Sequence, residues 1–199
     1  MSVTLLLLAA TSIVSLIAFS NRIWLEKLVF NPYIIEQRGQ WYRFLSSGLI
    51  HADVLHLLIN MLVLYSFGGM TEYYYGSVFG EQSSYYFLCL YFGGMAIAVL
   101  PSFNKHRSNP GYNALGASGA VSAVVFSFIF FEPLQKICLY GILCLPGILF
   151  GVAYLVYCVY SARKDRGRVN HDAHFWGALY GIFFTAVMKP ALVMSFFQK

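Results

Sequence analysis

Asn113-Ala-Leu-Gly-Ala-Ser-Gly-Ala-Val-Ser-Ala-Val-Val125 sets a serine between two glycines, Gly116-Ala117-Ser118-Gly119, where a polar loop gives way to an apolar helix. From Ser118 the apolar run lasts to Phe131, roughly 21 Å at ~1.5 Å per residue. A bilayer core is about 30 Å thick. A helix that short does not cross it alone, so one end stops inside. With Glu132 and Pro133 at one surface, Ser118 lies below the other. A hydroxyl at a helix N-terminus meets unpaired backbone N–H groups and the positive end of the macrodipole, a setting suited to stabilising an oxyanion. Alone, Gly-Ala-Ser-Gly-Ala reads more readily as a small-residue face for close helix packing. The rest of the chain decides between the two.

Composition sets the class. Hydrophobic residues make up 59% of the 199 and charged residues 11%, far from the balance of a water-soluble domain. The length accommodates about six spans with short loops, and the expected unit is one membrane domain over 1–199. The net charge of +5 comes from loop cations, which suit lipid headgroups rather than nucleic acid. Cys89, Cys138, Cys144 and Cys158 all fall in apolar runs without metal-ligand spacing and read as small hydrophobes.

Apolar runs predict spans over 3–19, 53–70, 84–100, 117–131, 137–160 and 172–188. The first lacks the basic flank of a signal peptide and reads as a membrane helix. Residues 21–50 mix Trp24, Trp41, Tyr33 and Tyr42 with Arg22, Lys27, Arg38 and Arg43, the composition of a long interfacial loop. Residues 101–113 read as a polar loop. Pro146-Gly147 falls inside the fifth run and predicts a kink there.

Two further segments carry polar groups into apolar helices. His56 and Asn60 are four residues apart, one turn along the same face. Polar side chains inside a span usually face a cavity or a partner. His174, Gly177 and Gly181 share a face of the last span, and the two glycines clear space for a neighbouring backbone. Gly119 and Ala123 offer the matching surface, so the pairing predicts His174 beside Ser118. A desolvated imidazole stays neutral, as a general base must.

Together these residues resemble the rhomboid family of intramembrane serine proteases, over nearly the whole chain. The likeness lies in Trp41-Tyr-Arg43, in His51 through Asn60, and in Gly68-Gly-x-x-Glu72. Gly116-Ala-Ser-Gly119 and Ala173-His174-x-x-Gly177-x-x-x-Gly181 complete it. The resemblance implies an all-α, six-helix membrane bundle with a Ser–His dyad, acting on transmembrane protein substrates with no cofactor and no metal. Carried over by motif, Ser118 is the nucleophile and His174 its base. His56, Asn60 and the backbone N–H of Ser118 form the oxyanion hole. Gly116, Gly119, Gly177, Gly181, His51, Trp41, Arg43 and Glu72 support them. Asp172, two residues from His174, reads as a helix cap.

One position departs from the family pattern. Members commonly carry an aromatic residue four after the nucleophile, stacked on the catalytic histidine; here it is Ser122. The orientation of His174 then comes from Ser122 or from another side chain, and an aromatic placed at 122 is expected to pack on His174. Two other readings compete: a rhomboid-like pseudoenzyme, and a metal site or transporter using His51, His56, His171 and His174. The retained Ser118 and His174 argue against the first. The lack of HExxH or of carboxylate pairing argues against the second.

Orientation divides the arguments. Arg22, Lys27, Arg38, Arg43, Lys105, Arg107, Arg163, Lys164, Arg166 and Arg168 share the active-site face, against Lys136, Lys189 and Lys199 opposite, ten to three. The positive-inside rule puts the ten in the cytoplasm. The resemblance implies the reverse, an active site opening to the non-cytoplasmic side, and is the preferred expectation.

Overall fold

The computed structural model describes residues 2–139, 143–164 and 170–197. Arg166, Arg168 and Lys199 of the charge count lie outside the described residues. Helix α1 spans Val3–Ser20, and three short helices follow: α2 Arg22–Leu28, α3 Pro32–Arg38 and α4 Arg43–Ser46. Then come α5 Val54–Phe79, α6 Ser83–His106 and α7 Ser118–Phe131. A hairpin of β1 Lys136–Leu139 and β2 Leu143–Pro146 leads to α8 Gly147–Lys164, α9 His171–Met188 and α10 Ala191–Phe197. The α1 helix and the Val54–His106 stretch are long and apolar enough to cross a bilayer.

The α7 helix is the axis. Every residue from Gly119 to Phe131 is buried, so its largely apolar surface is covered on all sides by neighbours. Against it α9 packs at backbone contact: a Cβ on Gly177 would overlap the carbonyl of Gly119, and one on Gly181 that of Ala123. Lower down, three helices are joined by a buried hydroxyl cluster. Tyr75 on α5 bonds Ser127 on α7 and Thr185 on α9, each at 3.2 Å, and Ser127 bonds Thr185 at 2.7 Å. Each hydroxyl can donate and accept, so none of the three is left unpaired.

The span expected over 53–70 does not stop there: α5 continues past Gly68 and Gly69 to Phe79. Gly68 instead lets α1 approach, since a Cβ there would lie 2.6 Å from Thr4 Cγ2. One turn on, the Glu72 carboxylate accepts from the backbone N–H groups of Val3 and Thr4 at 2.7 and 3.0 Å and from the hydroxyls of Ser2 and Thr4. It closes the N-terminus of α1, whose first N–H groups have no partner within the helix.

Three expectations are corrected. Helix α6 runs through Pro101 to His106, so the polar loop is shorter than 101–113. Proline there forfeits one intrahelical bond close to the helix end. Lys136–Leu139 and Leu143–Pro146 pair as antiparallel strands rather than opening a kinked span. Pro146 disfavours a helical residue before it, and α8 begins only at Gly147. Cys138 and Cys144, read as hydrophobes, face each other across the hairpin as a disulfide. Residues 21–50 carry the three short helices; Asn21 and Asn31 cap two of them, accepting from Ile23 and Ile34 N–H groups at 3.0 and 2.8 Å.

Candidate active site

Ser118 opens α7, and the loop before it is held at four points. Phe30 and Ala114 exchange backbone hydrogen bonds of 3.0 Å, and Gly116 N–H donates to the Ser47 carbonyl at 2.9 Å. Asn31 Nδ2 donates to the Pro110 carbonyl and to Asn113 Oδ1 at 3.0 and 3.1 Å. Ala117 N–H donates to His51 Nε2 at 3.3 Å. Since Nε2 accepts, the His51 proton sits on Nδ1 and donates to Ser15 Oγ at 2.9 Å, while Ser15 donates to the Leu49 carbonyl at 3.0 Å. Burial, and secondarily the neighbouring His56, push the His51 pKa down to about 4 against the pull of Asp53. His51 is thus a neutral strut from α1 to the residue before Ser118.

Arg43 fastens the interfacial segment that carries Ser47. Its Nη1 donates to the carbonyls of Glu26 and Val29 at 2.9 and 2.6 Å, and its Nε to Gln40 Oε1 at 2.8 Å. Trp41 packs its ring on Phe44 and Phe103, with centroids 5.9 and 5.5 Å apart. Both residues brace the interfacial segment rather than supplying a group to the reaction.

Gly116 sits at φ 116°, a conformation open to glycine. The His56 ring covers it so closely that a Cβ would lie 3.0 Å from Nε2. His56 therefore borders the loop leading into Ser118. Its backbone N–H is capped by Asp53 Oδ1 at 2.8 Å, and its carbonyl accepts from Asn60 Nδ2 at 2.9 Å. That bond uses one of the two amide protons of the buried Asn60.

The crossing at Gly119 and Gly177 brings the first turn of α9 against the start of α7: a Cβ on Gly119 would lie 3.5 Å from the carbonyl of Ala173, the residue before His174. Among the described residues no hydrogen bond joins the Ser118 hydroxyl to the His174 ring. Such bonds are often long in unliganded enzymes and tighten with substrate. The ring stacks on Tyr154 of α8, with centroids 6.3 Å apart and planes at 13°. Tyr154 Oη in turn bonds Ser122 Oγ at 3.0 Å. The aromatic face missing at position 122 is supplied by α8, and the space an aromatic at 122 would need is already filled.

Tyr154 escaped the sequence reading because its role depends on a packing partner far along the chain. The available signal was Ser122 itself, a hydroxyl in a buried apolar helix that needs a partner. Asp172 is also corrected. Asn170 is the cap of α9, accepting from Ala173 N–H at 3.1 Å, and Asp172 lies in the first turn. Beside Ser118 lies a cavity of about 20 Å³ bordered by Ser47, Met95, Gly116, Ser118 and Gly119, room for about one water.

A sequence profile described as Rhomboid domain matches residues 38–191. The chain is 24% identical over 169 residues to RHOMBOID-like protein 12, mitochondrial, of Arabidopsis thaliana, covering 79% of this chain and 50% of that one. It is 34% identical over 98 residues to Rhomboid protease GlpG of Haemophilus influenzae, covering 49% and 45%. It is also 30% identical over 167 residues to Inactive rhomboid protein 1 of Drosophila melanogaster, covering 81% and 10%. The chain thus spans half or less of each of these relatives.

Proposed function

This chain belongs to the rhomboid family, whose members are integral membrane proteins, and from that premise we propose that it is an intramembrane serine endopeptidase. Helices α1 and α5 to α9 are read as six crossings around one domain. The substrates are membrane proteins cut in or near a transmembrane helix.

Ser118 Oγ attacks the scissile carbonyl carbon as His174 takes the hydroxyl proton. The carbonyl oxygen becomes an oxyanion, met by the Ser118 N–H, His56 and the second Asn60 amide proton. When this intermediate collapses, the C–N bond breaks and His174 passes its proton to the leaving amine. A water, activated by the now neutral His174, then hydrolyses the acyl-enzyme and frees Ser118. No acidic third member is needed where Tyr154 holds the imidazole plane. Fixed donors aimed at developing charge supply the largest share of such catalysis.

The observation that supports this reading is the backbone crossing of α7 and α9, which packs the turn of α9 that carries His174 against the start of α7, with the His56 ring over Gly116. A non-cleaving member of the family would need neither His56 against Gly116 nor an aromatic seat for His174. The test incubates purified protein in detergent with a panel of transmembrane substrates, beside Ser118→Ala. Cleavage by the wild type and none by the variant is expected. Equal cleavage by both would remove Ser118 from its role.

For orientation, two observations favour the active-site face in the cytoplasm, against the family-based expectation. The ten-to-three cation split is one. The other is the Cys138–Cys144 disulfide on the hairpin after the C-terminal end of α7, opposite Ser118. Disulfides persist in oxidising compartments, so that end faces away from the cytoplasm.

A further inference from the structure

Cys158 on α8 and His171 and His174 on α9 gather one thiol and two imidazoles, their ligand atoms all within 4.8 Å of one another. Cys158 and His171 are buried and His174 is half-buried. The two histidine rings meet edge to face at 5.9 Å. Thiolate sulfur and imidazole nitrogen are the donors that zinc prefers, at ~2.3 and ~2.0 Å. Around a tetrahedral ion such atoms lie about 3.3–3.6 Å apart. Closing the observed triangle onto an ion therefore needs side-chain shifts of about 1 Å, within reach of rotations about χ1 and χ2.

The cluster lies next to a surface cavity. A second cavity, of about 240 Å³, is bordered by Cys158, Asp172, Trp176, Lys105 and Arg163. It lies where α8 ends and α9 begins, on the Ser118 side of the bundle. The Asp172 carboxylate supplies negative charge to a wall otherwise carrying two cations. Cys158 lies in the wall of the same cavity, buried just beneath its surface, so the cluster is reached from this side and not past Ser118.

We propose that Cys158, His171 and His174 form an inhibitory zinc site, the fourth position being left to water. On binding, the Cys158 thiol releases its proton to solvent and both imidazoles donate a lone pair while remaining neutral. Either nitrogen of His174 serves. A metal on the nitrogen facing Ser118 takes the lone pair the base needs. A metal on the other nitrogen forces the ring proton onto the Ser118 side, with the same result. Zinc thereby switches off proton abstraction without touching the nucleophile. The inhibition rests on the Ser–His reading above; the metal site does not.

The experiment uses the full chain in detergent and two readouts. Cobalt(II), added in place of zinc, reports a thiolate ligand through its sulfur-to-metal charge-transfer band, whether or not any substrate is cut. The band is expected in the wild type and in Cys89→Ser, and lost in Cys158→Ser. In parallel, zinc is titrated against cleavage. Inhibition that a chelator reverses is expected, weakened at least about tenfold in Cys158→Ser with cleavage unchanged in the absence of zinc. Should Cys158→Ser fold poorly, His171→Asn replaces it, with the same expectations for zinc. No cobalt band in the wild type, or equal zinc inhibition in the ligand variants, overturns the site. If no substrate is cut at all, the cobalt band alone decides the site, and it is the protease reading that fails.

Discussion

Tyr154 stacks on His174 with ring planes 13° apart, while its hydroxyl bonds Ser122 at 3.0 Å. A tyrosine of α8 thus takes the seat that the family resemblance assigned to a side chain of α7. The relation separates into two parts that mutation can address one at a time. Tyr154→Phe keeps the ring and loses the bond, so kcat should stay within a few-fold. Tyr154→Ala loses the ring, and kcat should drop on the order of 10²-fold with KM little changed, the scale of a misplaced catalytic group. Ser122→Phe should destabilise rather than help, because Tyr154 already fills that space. Steady-state kinetics and thermal unfolding in detergent separate these cases.

Asn60 tests the oxyanion assignment. Oxyanion donors act on charge present only in the transition state, and losing one costs ~10²–10³ in kcat when few donors are present. Asn60→Ala should lower kcat with KM nearly unchanged. A rise in KM alone would make Asn60 a binding residue.

The α7–α9 crossing should be intolerant of a single methyl. A Cβ on Gly177 meets the Gly119 carbonyl, backbone that cannot swing aside. Gly177→Ala is expected to cost about 1–3 kcal/mol of stability, the usual range for overpacking, and to depress cleavage by moving His174. Gly76, whose Cβ would meet nothing within 4 Å, is the control: Gly76→Ala should leave both unchanged.

His51 predicts a pH dependence of stability. Its folded pKa is lowered from 6.5 to about 4, so the unfolded chain takes up this proton first as pH falls. Stability from this residue is complete above about pH 6.5 and is lost as pH drops towards 4, on the order of 3 kcal/mol in all. Thermal unfolding between pH 7 and 4.5 should show that decline, with a shallower slope in His51→Gln. Equal slopes would mean that other groups account for it.

Arg107 lies exposed on the active-site face and reports its side of the membrane. Arg107→Cys in a Cys89→Ser, Cys158→Ser background, with the disulfide retained, should react with an impermeant thiol reagent only after cells are broken open. Labelling of intact cells would restore the family-based orientation.

Class and element order were legible in the chain because they depend on local composition. Apolar runs set the helices, and a serine between glycines at a polar-to-apolar border marked the start of α7. The pairing of Gly177 and Gly181 with Gly119 and Ala123 was readable too, since small residues at four-residue spacing leave few other uses for a helix face. What the sequence alone left undetermined depends on groups distant along the chain. Proline and glycine at 146–147 are compatible with a kink or with a hairpin, and only pairing across Cys138 and Cys144 chose. Gly68 looks like a stop until Thr4 fills the space beside it. Tyr154, one tyrosine among fifteen, acquires its place only when α8 lies against α7 and α9. His51 likewise becomes a strut once Ser15 and Ala117 stand on either side of it. Periodicity and spacing are properties of a segment, whereas a hydrogen bond or a stacked ring exists only between segments that packing has brought together.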